Sequence, residues 1–163
     1  MTNDEVIISL SITPTWSILK EVRQKTEDLM KKKNADTDTI DSTIMCATEL
    51  VENAIKYGSS NSGQNNINFD LIVQNTIRIK VANGIKDEKD AQNVKYHIEK
   101  IQNTDDPAKL YTDRLMQLMD NAKPGESQLG LYRIAYEGEF KLDYTYKNNV
   151  LTIMAEKKFN LDS

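Results

Sequence analysis

Residues 47–58 read ATELVENAIKYG. Upstream and through this stretch, Ile40, Ile44, Ala47, Val51 and Ile55 recur at spacings of four and three, which defines a buried helical stripe. Gly58 is the natural stop of that helix, and the NADTD run before it offers several N-cap oxygens. At about 100° per residue, Glu49, Asn53 and Lys56 fall roughly opposite the stripe. Glu49 and Asn53 are then one turn apart on one face.

Two readings of that polar face stand side by side. In open water it is a solvated stripe, with Glu52 and Lys56 forming an i, i+4 pair. Under a second element it has a chemical use. A carboxylate and an amide oxygen one turn apart suit a magnesium–nucleotide site, because Mg²⁺ takes oxygen ligands, keeps several waters and is completed by substrate phosphates. Asn53 would give one oxygen without adding charge, and Glu49 could order a water or accept a hydroxyl proton. The spacing alone does not choose between them.

Outward from this helix, VIISLSI at 6–12 reads as a strand, and Pro14 with Thr13 as a cap predicts a helix from there to about Lys33. SSNSGQNN at 59–66 is a turn or loop. INFDLIVQ and TIRIKVAN, separated by Asn75, predict an antiparallel hairpin. Asp87 to about Ala122 is helical with a break near NTDDP, KPGESQ is a loop, and LGLYRIAYEG begins a further helix. EFKLDYTYK and VLTIMAEKKF flank an Asn-Asn turn, a strong hairpin signal. The order predicts one α/β domain over residues 1–163, a two-layer sandwich in which a mixed, mostly antiparallel sheet is covered on one face by helices.

The bulk composition removes several function classes. Of 163 residues, 39% are apolar and 28% charged, which fits one soluble globular domain. With 21 basic and 25 acidic residues and no basic stripe, nucleic acid is not an expected partner. No apolar run reaches membrane-spanning length, so no membrane role is expected. MTNDEVIISLSI carries acids where a secretory signal carries bases, and a cytoplasmic location is expected. The single cysteine, Cys46, is expected to be a packing residue. His97 takes a packing or surface role, and Leu115, Met116, Leu118 and Met119 make an apolar packing side of a helix.

ATELVENAIKYG resembles the asparagine box of the GHKL, or Bergerat-fold, ATPases. The preceding ISLSITPTWSILKEVRQKTEDLM, a polar break and the Glu49-x-x-x-Asn53 spacing are similar to the anti-sigma-factor serine/threonine kinases within that family. No phosphoacceptor-histidine helix precedes the box, so a whole sensor histidine kinase is not expected. The second half, in IQNTDDPAKLYTDRL, QLGLYRIAYEG and KLDYTYKNNVLTIMAEKK, looks like the SiaB-type branch. The resemblance covers most of the chain. It implies a Bergerat fold, ATP and Mg²⁺ as cofactors, Asn53 as the Mg²⁺ ligand, and Glu49 as the catalytic base. It places Leu129, Gly130 and Leu131 at a turn where backbone N–H groups and the helix dipole bind phosphate. The segment at about 87–128 would be a helical insert containing the nucleotide lid. Lys56 is a candidate to face the phosphates, although the family does not fix that position. The implied partner is a STAS-domain, anti-anti-sigma-like regulatory protein, phosphorylated in a partner switch; a homodimer is left open.

The pattern also departs from the family. The usual Asp-x-Gly-x-Gly ends a strand, and its Asp accepts the adenine amino group. Here the strand ends Ala82-Asn83-Gly84-Ile85-Lys86, with Ala82 where the Asp is expected and Lys86 where the second Gly is; Asn83 or Asp87 could substitute for the Asp, and Asn83 and Gly84 are the nucleotide-binding candidates. Losing a charged acceptor is expected to weaken nucleotide binding about ten- to a hundredfold. In the second glycine motif only Gly130 is in register; Glu126 and Gln128 stand at positions often held by glycine. The alternative function is therefore a catalytically degenerate module of the same fold that binds and sequesters a regulatory protein.

Overall fold

The computed structural model describes residues 6–13, 15–58, 66–120 and 129–159. The elements run β1 (Val6–Ile12), α1 (Ile18–Lys32), α2 (Thr37–Tyr57), β2 (Ile67–Val73), β3 (Thr76–Gly84), α3 (Glu88–Gln102), α4 (Pro107–Asp120), α5 (Leu129–Tyr136), β4 (Lys141–Lys147) and β5 (Val150–Lys158). They form a two-layer α/β sandwich. The strand order is β1-β2-β3-β5-β4, and every pair is antiparallel rather than mostly so. The reason is topological. β3 and β4 run the same way, but β5 lies between them, so no parallel pair forms.

Strand alternation sorts the two faces. Phe69, Val81 and Ile153 are cross-strand partners, as are Leu71, Ile79 and Ala155, and all six are buried. Their neighbours Asp70, Lys80 and Met154 take the opposite face and are half-buried. At the tip between β4 and β5, Asn148 and Asn149 have φ of 53° and 64°. Two left-handed residues in succession give the turn whose twist matches a hairpin.

α2 is the helix on which the site is built. Asp36 caps it, its carboxylate accepting from the Thr39 N–H at 2.8 Å. Its buried positions include Thr43, Cys46, Ala47, Leu50, Val51, Asn53 and Ala54, whereas Ile40, Ile44 and Ile55 are only half-buried. The buried arc is therefore turned by roughly 60° from the stripe read in the sequence, given 100° per residue. α2 packs against α1, α5, β2 and β3, so more than one side is covered. That covering is what places Asn53 inside.

α1 begins at Ile18 after Ser17, which makes no side-chain cap. The expected start at Thr13 and Pro14 is corrected: the Thr13 carbonyl accepts from the Thr15 N–H at 2.7 Å, the helix begins only at Ile18, and Pro14 lies outside the described residues. Two expected loops, at 59–65 and 123–128, also lie outside them, with Gly125, Glu126 and Gln128. α3 buries Ala91, Val94, His97, Ile98 and Ile101, while α4 buries none of its residues. Leu115, Met116 and Met119, expected to pack, are exposed on α4. No described helix is long and apolar enough to cross a membrane.

Gly58 ends α2 with extended rather than left-handed backbone. Its N–H bonds the Ala54 carbonyl at 2.9 Å, and it bridges to Ile85. A Cβ there would meet the Ala54 carbonyl oxygen at 2.6 Å. Because that atom is backbone, Gly58→Ala is expected to cost about 1–3 kcal/mol, the range for overpacking. A thermal melt should show it as a fall of several degrees, at roughly 2–4 °C per kcal/mol for this size.

Candidate functional site

α2 does hold Glu49 and Asn53 one turn apart, and neither is on a wet stripe. Asn53 is 7% exposed. Its Nδ2 is buried and has no hydrogen-bond partner in the structure. A buried polar group without a partner costs about 1–3 kcal/mol, so the site has an unmet demand. Oxygen and nitrogen of an amide are interchangeable by a half-turn of the side chain, and Asn53 can offer either atom to a ligand. Lys56, in contrast, is exposed at the end of α2.

Glu49 is covered by α5. Its Oε1 lies 3.3 Å from Nη1 of Arg133, and its side chain is 20% exposed. Its Oε2 lies so close to Gly130 that any Cβ there would overlap it. Burial pushes the Glu49 carboxyl above its ordinary range, Glu52 adds to the push, and Arg133 and Lys56 oppose it. A desolvated carboxylate with a raised affinity for protons is suited to accept one.

The third wall is the end of β3. Val81, Asn83 and Ile85 are buried on the helix side, and Ala82 alternates to the other face. The inward position at the strand end belongs to Asn83, 7% exposed, rather than to Ala82. Its Nδ2 donates to the Gly84 carbonyl at 3.0 Å, so its amide oxygen is the acceptor on offer. That amide also lies 3.6 Å from where a Cβ of Gly58 would be. It therefore sits at the C-terminal end of α2, beside Gly58.

Leu129 and Gly130 are half-buried in the first turn of α5, and Leu131 and Tyr132 are fully buried. The sequence reading missed Arg133 and Glu137. Arg133 Nε donates to Glu137 Oε2 at 2.8 Å, one turn along. The signal was available: Gly130, Arg133 and Glu137 recur at spacings of three and four, on one helical face. Arg133 also opens onto a cleft of about 610 Å³, with Ser42, Met45 and Lys157 among its lining residues.

α5 is tied to α3 by a buried pair. His97 Nδ1 and the Tyr132 hydroxyl share a hydrogen bond of 2.5 Å. Burial pushes His97 down to about 4, helped by Arg114 and Lys100. It pushes Tyr132 up to about 12. A histidine whose folded-state value lies below the unfolded 6.5 gives full stability above pH 6.5 and loses it as pH falls toward 4. Urea melts are expected to show about 2 kcal/mol lost through this group between pH 7 and 4.5. His97→Gln is expected to flatten that slope.

Among the described residues no three His, Cys, Asp or Glu converge as a metal cluster. A cation at Asn53 would need oxygens from a bound phosphate and from water, the usual arrangement for Mg²⁺. The orphaned Asn53 amide and the desolvated Glu49 lie one turn apart on α2, and the Asn83 amide is buried at the end of β3.

The fold and its walls define a class: a two-layer α/β sandwich with a carboxylate–amide pair on a central helix, roofed by a short helix. No protein-family model matches the chain, and no curated protein matches it. Among solved structures, it is similar to a chain in the crystal structure of the SiaB–SiaC complex from Pseudomonas aeruginosa. The TM-score is 0.67 at 14% sequence identity, over 93% of this chain and 88% of that one. That likeness is one of fold, carried through nearly the whole length of both chains.

Proposed function

We propose that this chain is an ATP-dependent serine/threonine protein kinase of the anti-sigma-factor type, with a Bergerat fold, acting on a small STAS-domain regulatory protein. The observation that carries the reading is the buried Asn53 amide with no partner at Nδ2, one turn from the desolvated Glu49. Bound ATP, with Mg²⁺, would supply the γ-phosphoryl group, ADP leaving as the hydroxyl oxygen bonds to phosphorus. Asn53 would offer its amide oxygen to the cation. Asn83 accepts the adenine amino group with an uncharged oxygen, a weaker acceptor than a carboxylate. Glu49 takes the proton of the attacking serine or threonine hydroxyl. The first turn of α5, at Leu129, Gly130 and Leu131, lies beside the phosphates.

Structural likeness to a chain from a two-protein complex supports a regulatory protein as the partner. A new phosphate on that partner would break the complex by charge and desolvation. The lid is α4, which has no buried residue to lose on moving; α3 is anchored in the core.

A second reading has its own support. Glu49 is already engaged by Arg133 and pressed on Gly130, as in a module that binds a partner without phosphoryl transfer. Incubation with γ-labelled ATP, Mg²⁺ and purified STAS-domain proteins separates the two. Label on a serine or threonine, dependent on this chain, is expected. A stable complex that persists with ATP and gains no label would favour sequestration.

A further inference from the structure

The ion pair between α2 and α5 has no counterpart in the motifs read from the sequence. Arg133 is held from both sides. Its Nε donates to Glu137 at 2.8 Å, one turn along, and its Nη1 reaches Glu49 at 3.3 Å across the interface. A guanidinium is a planar fork of fixed geometry. Anchoring one nitrogen to Glu137 therefore fixes where the other points. Glu49 is met by α5 at two places one turn apart, Arg133 at Oε1 and Gly130 at Oε2. The carboxylate cannot swing without leaving one of them. The neighbouring charges are Glu52 and Lys56 on α2 and Glu137 just past the end of α5. Lys56 is exposed, and it is Arg133 that forms the ion pair with the carboxylate.

We propose that Arg133, clamped by Glu137, is the positioning residue for Glu49: it orients the carboxylate and places a positive charge 3.3 Å from its Oε1. The proposal rests on the kinase reading for its purpose, although the clamp itself does not. Arg133 touches neither the nucleotide nor the reacting hydroxyl in this account. It acts through Glu49. Three N–H donors of the guanidinium remain beyond these two bonds, and Arg133 lines the cleft.

The test is a carbon-13 NMR titration of the Glu49 side-chain carboxyl in the full chain, for native protein, Arg133→Gln and Arg133→Lys. Arg133 is a surface residue, with a side chain 41% exposed, and near-native melts are expected for both variants. Arg133→Gln is expected to raise the Glu49 midpoint by about one pH unit, the lower end of the range for losing a close opposite charge. Arg133→Lys keeps the charge and is expected to restore most of the shift. In phosphoryl transfer, the acid limb of the pH–rate profile should move up with the midpoint, with kcat at pH 6 falling and KM for ATP unchanged. A Glu49 midpoint identical in native and Arg133→Gln protein would overturn the proposal. A shifted midpoint in a chain that transfers no phosphate would uphold the clamp and remove the kinase reading instead.

Discussion

Glu49→Gln is expected to cut transfer of phosphate to a protein hydroxyl by about 10²–10⁴-fold, the usual worth of a positioned general base. Magnesium-dependent ATP binding should remain within a few fold, because Asn53 and Asn83, not Glu49, hold the nucleotide in this account. The variant should also fold. Burial raises the Glu49 carboxyl above its ordinary value, so the ionised side chain is less favoured in the folded state than in the unfolded one. By linkage, that group's stability is greatest below its unfolded value and is lost as pH rises through the folded one. Glutamine removes the ionisation while keeping the shape, and stability at pH 7 should not fall. Loss of transfer with retained binding and an undiminished melt identifies a chemical role. A parallel loss of melting temperature would identify a structural one.

Leu50→Ala, one residue along, is expected to do the reverse. Leu50 is 0% exposed within the core cluster under α2. Truncating a fully buried leucine costs about 2–5 kcal/mol, because the cavity left behind closes only in part. At roughly 2–4 °C per kcal/mol for a domain of this size, the melting temperature should fall by about 5–15 °C. That is a large share of the typical 5–15 kcal/mol of domain stability. At a temperature where the variant is still folded, the Glu49–Arg133 pair and nucleotide affinity should be close to native. Leu50 and Glu49 are adjacent in sequence but 100° apart on the helix, and the two experiments separate packing from chemistry on a single element.

Local patterns made the fold legible. Both hairpins follow from alternation and their turns, and the Asn148–Asn149 turn adopts the left-handed pair that its residues favour. Helix ends were less so. Pro14 suggested an early start for α1, but the helix begins at Ile18. The stripe on α2 was misplaced for a physical reason: periodicity weights large aliphatics such as Ile40 and Ile44, whereas burial follows what packs on the helix. α1, α5 and the sheet cover more than one side, and the smaller Thr43, Cys46 and Ala47 go inside.

The candidate site was legible where it is local. Glu49 and Asn53 share a face because helix geometry demands it. That this face is covered could not be read from the helix alone, since the cover is α5, about 80 residues later. The same distance in sequence hid the Glu49–Arg133 pair. Which of Ala82 and Asn83 is buried could not be read from the glycine spacing of a motif: the pleat sorts residues by face, and the buried positions Val81 and Asn83 set the phase.

Calorimetric titration of ATP with Mg²⁺, on the native chain and on Asn53→Ala, tests the central claim most directly. Magnesium-dependent binding in the native chain, lost in Asn53→Ala while the melt stays near native, is the expected result. Equal binding by both proteins, or no binding by native chain at millimolar nucleotide, would contradict the nucleotide site.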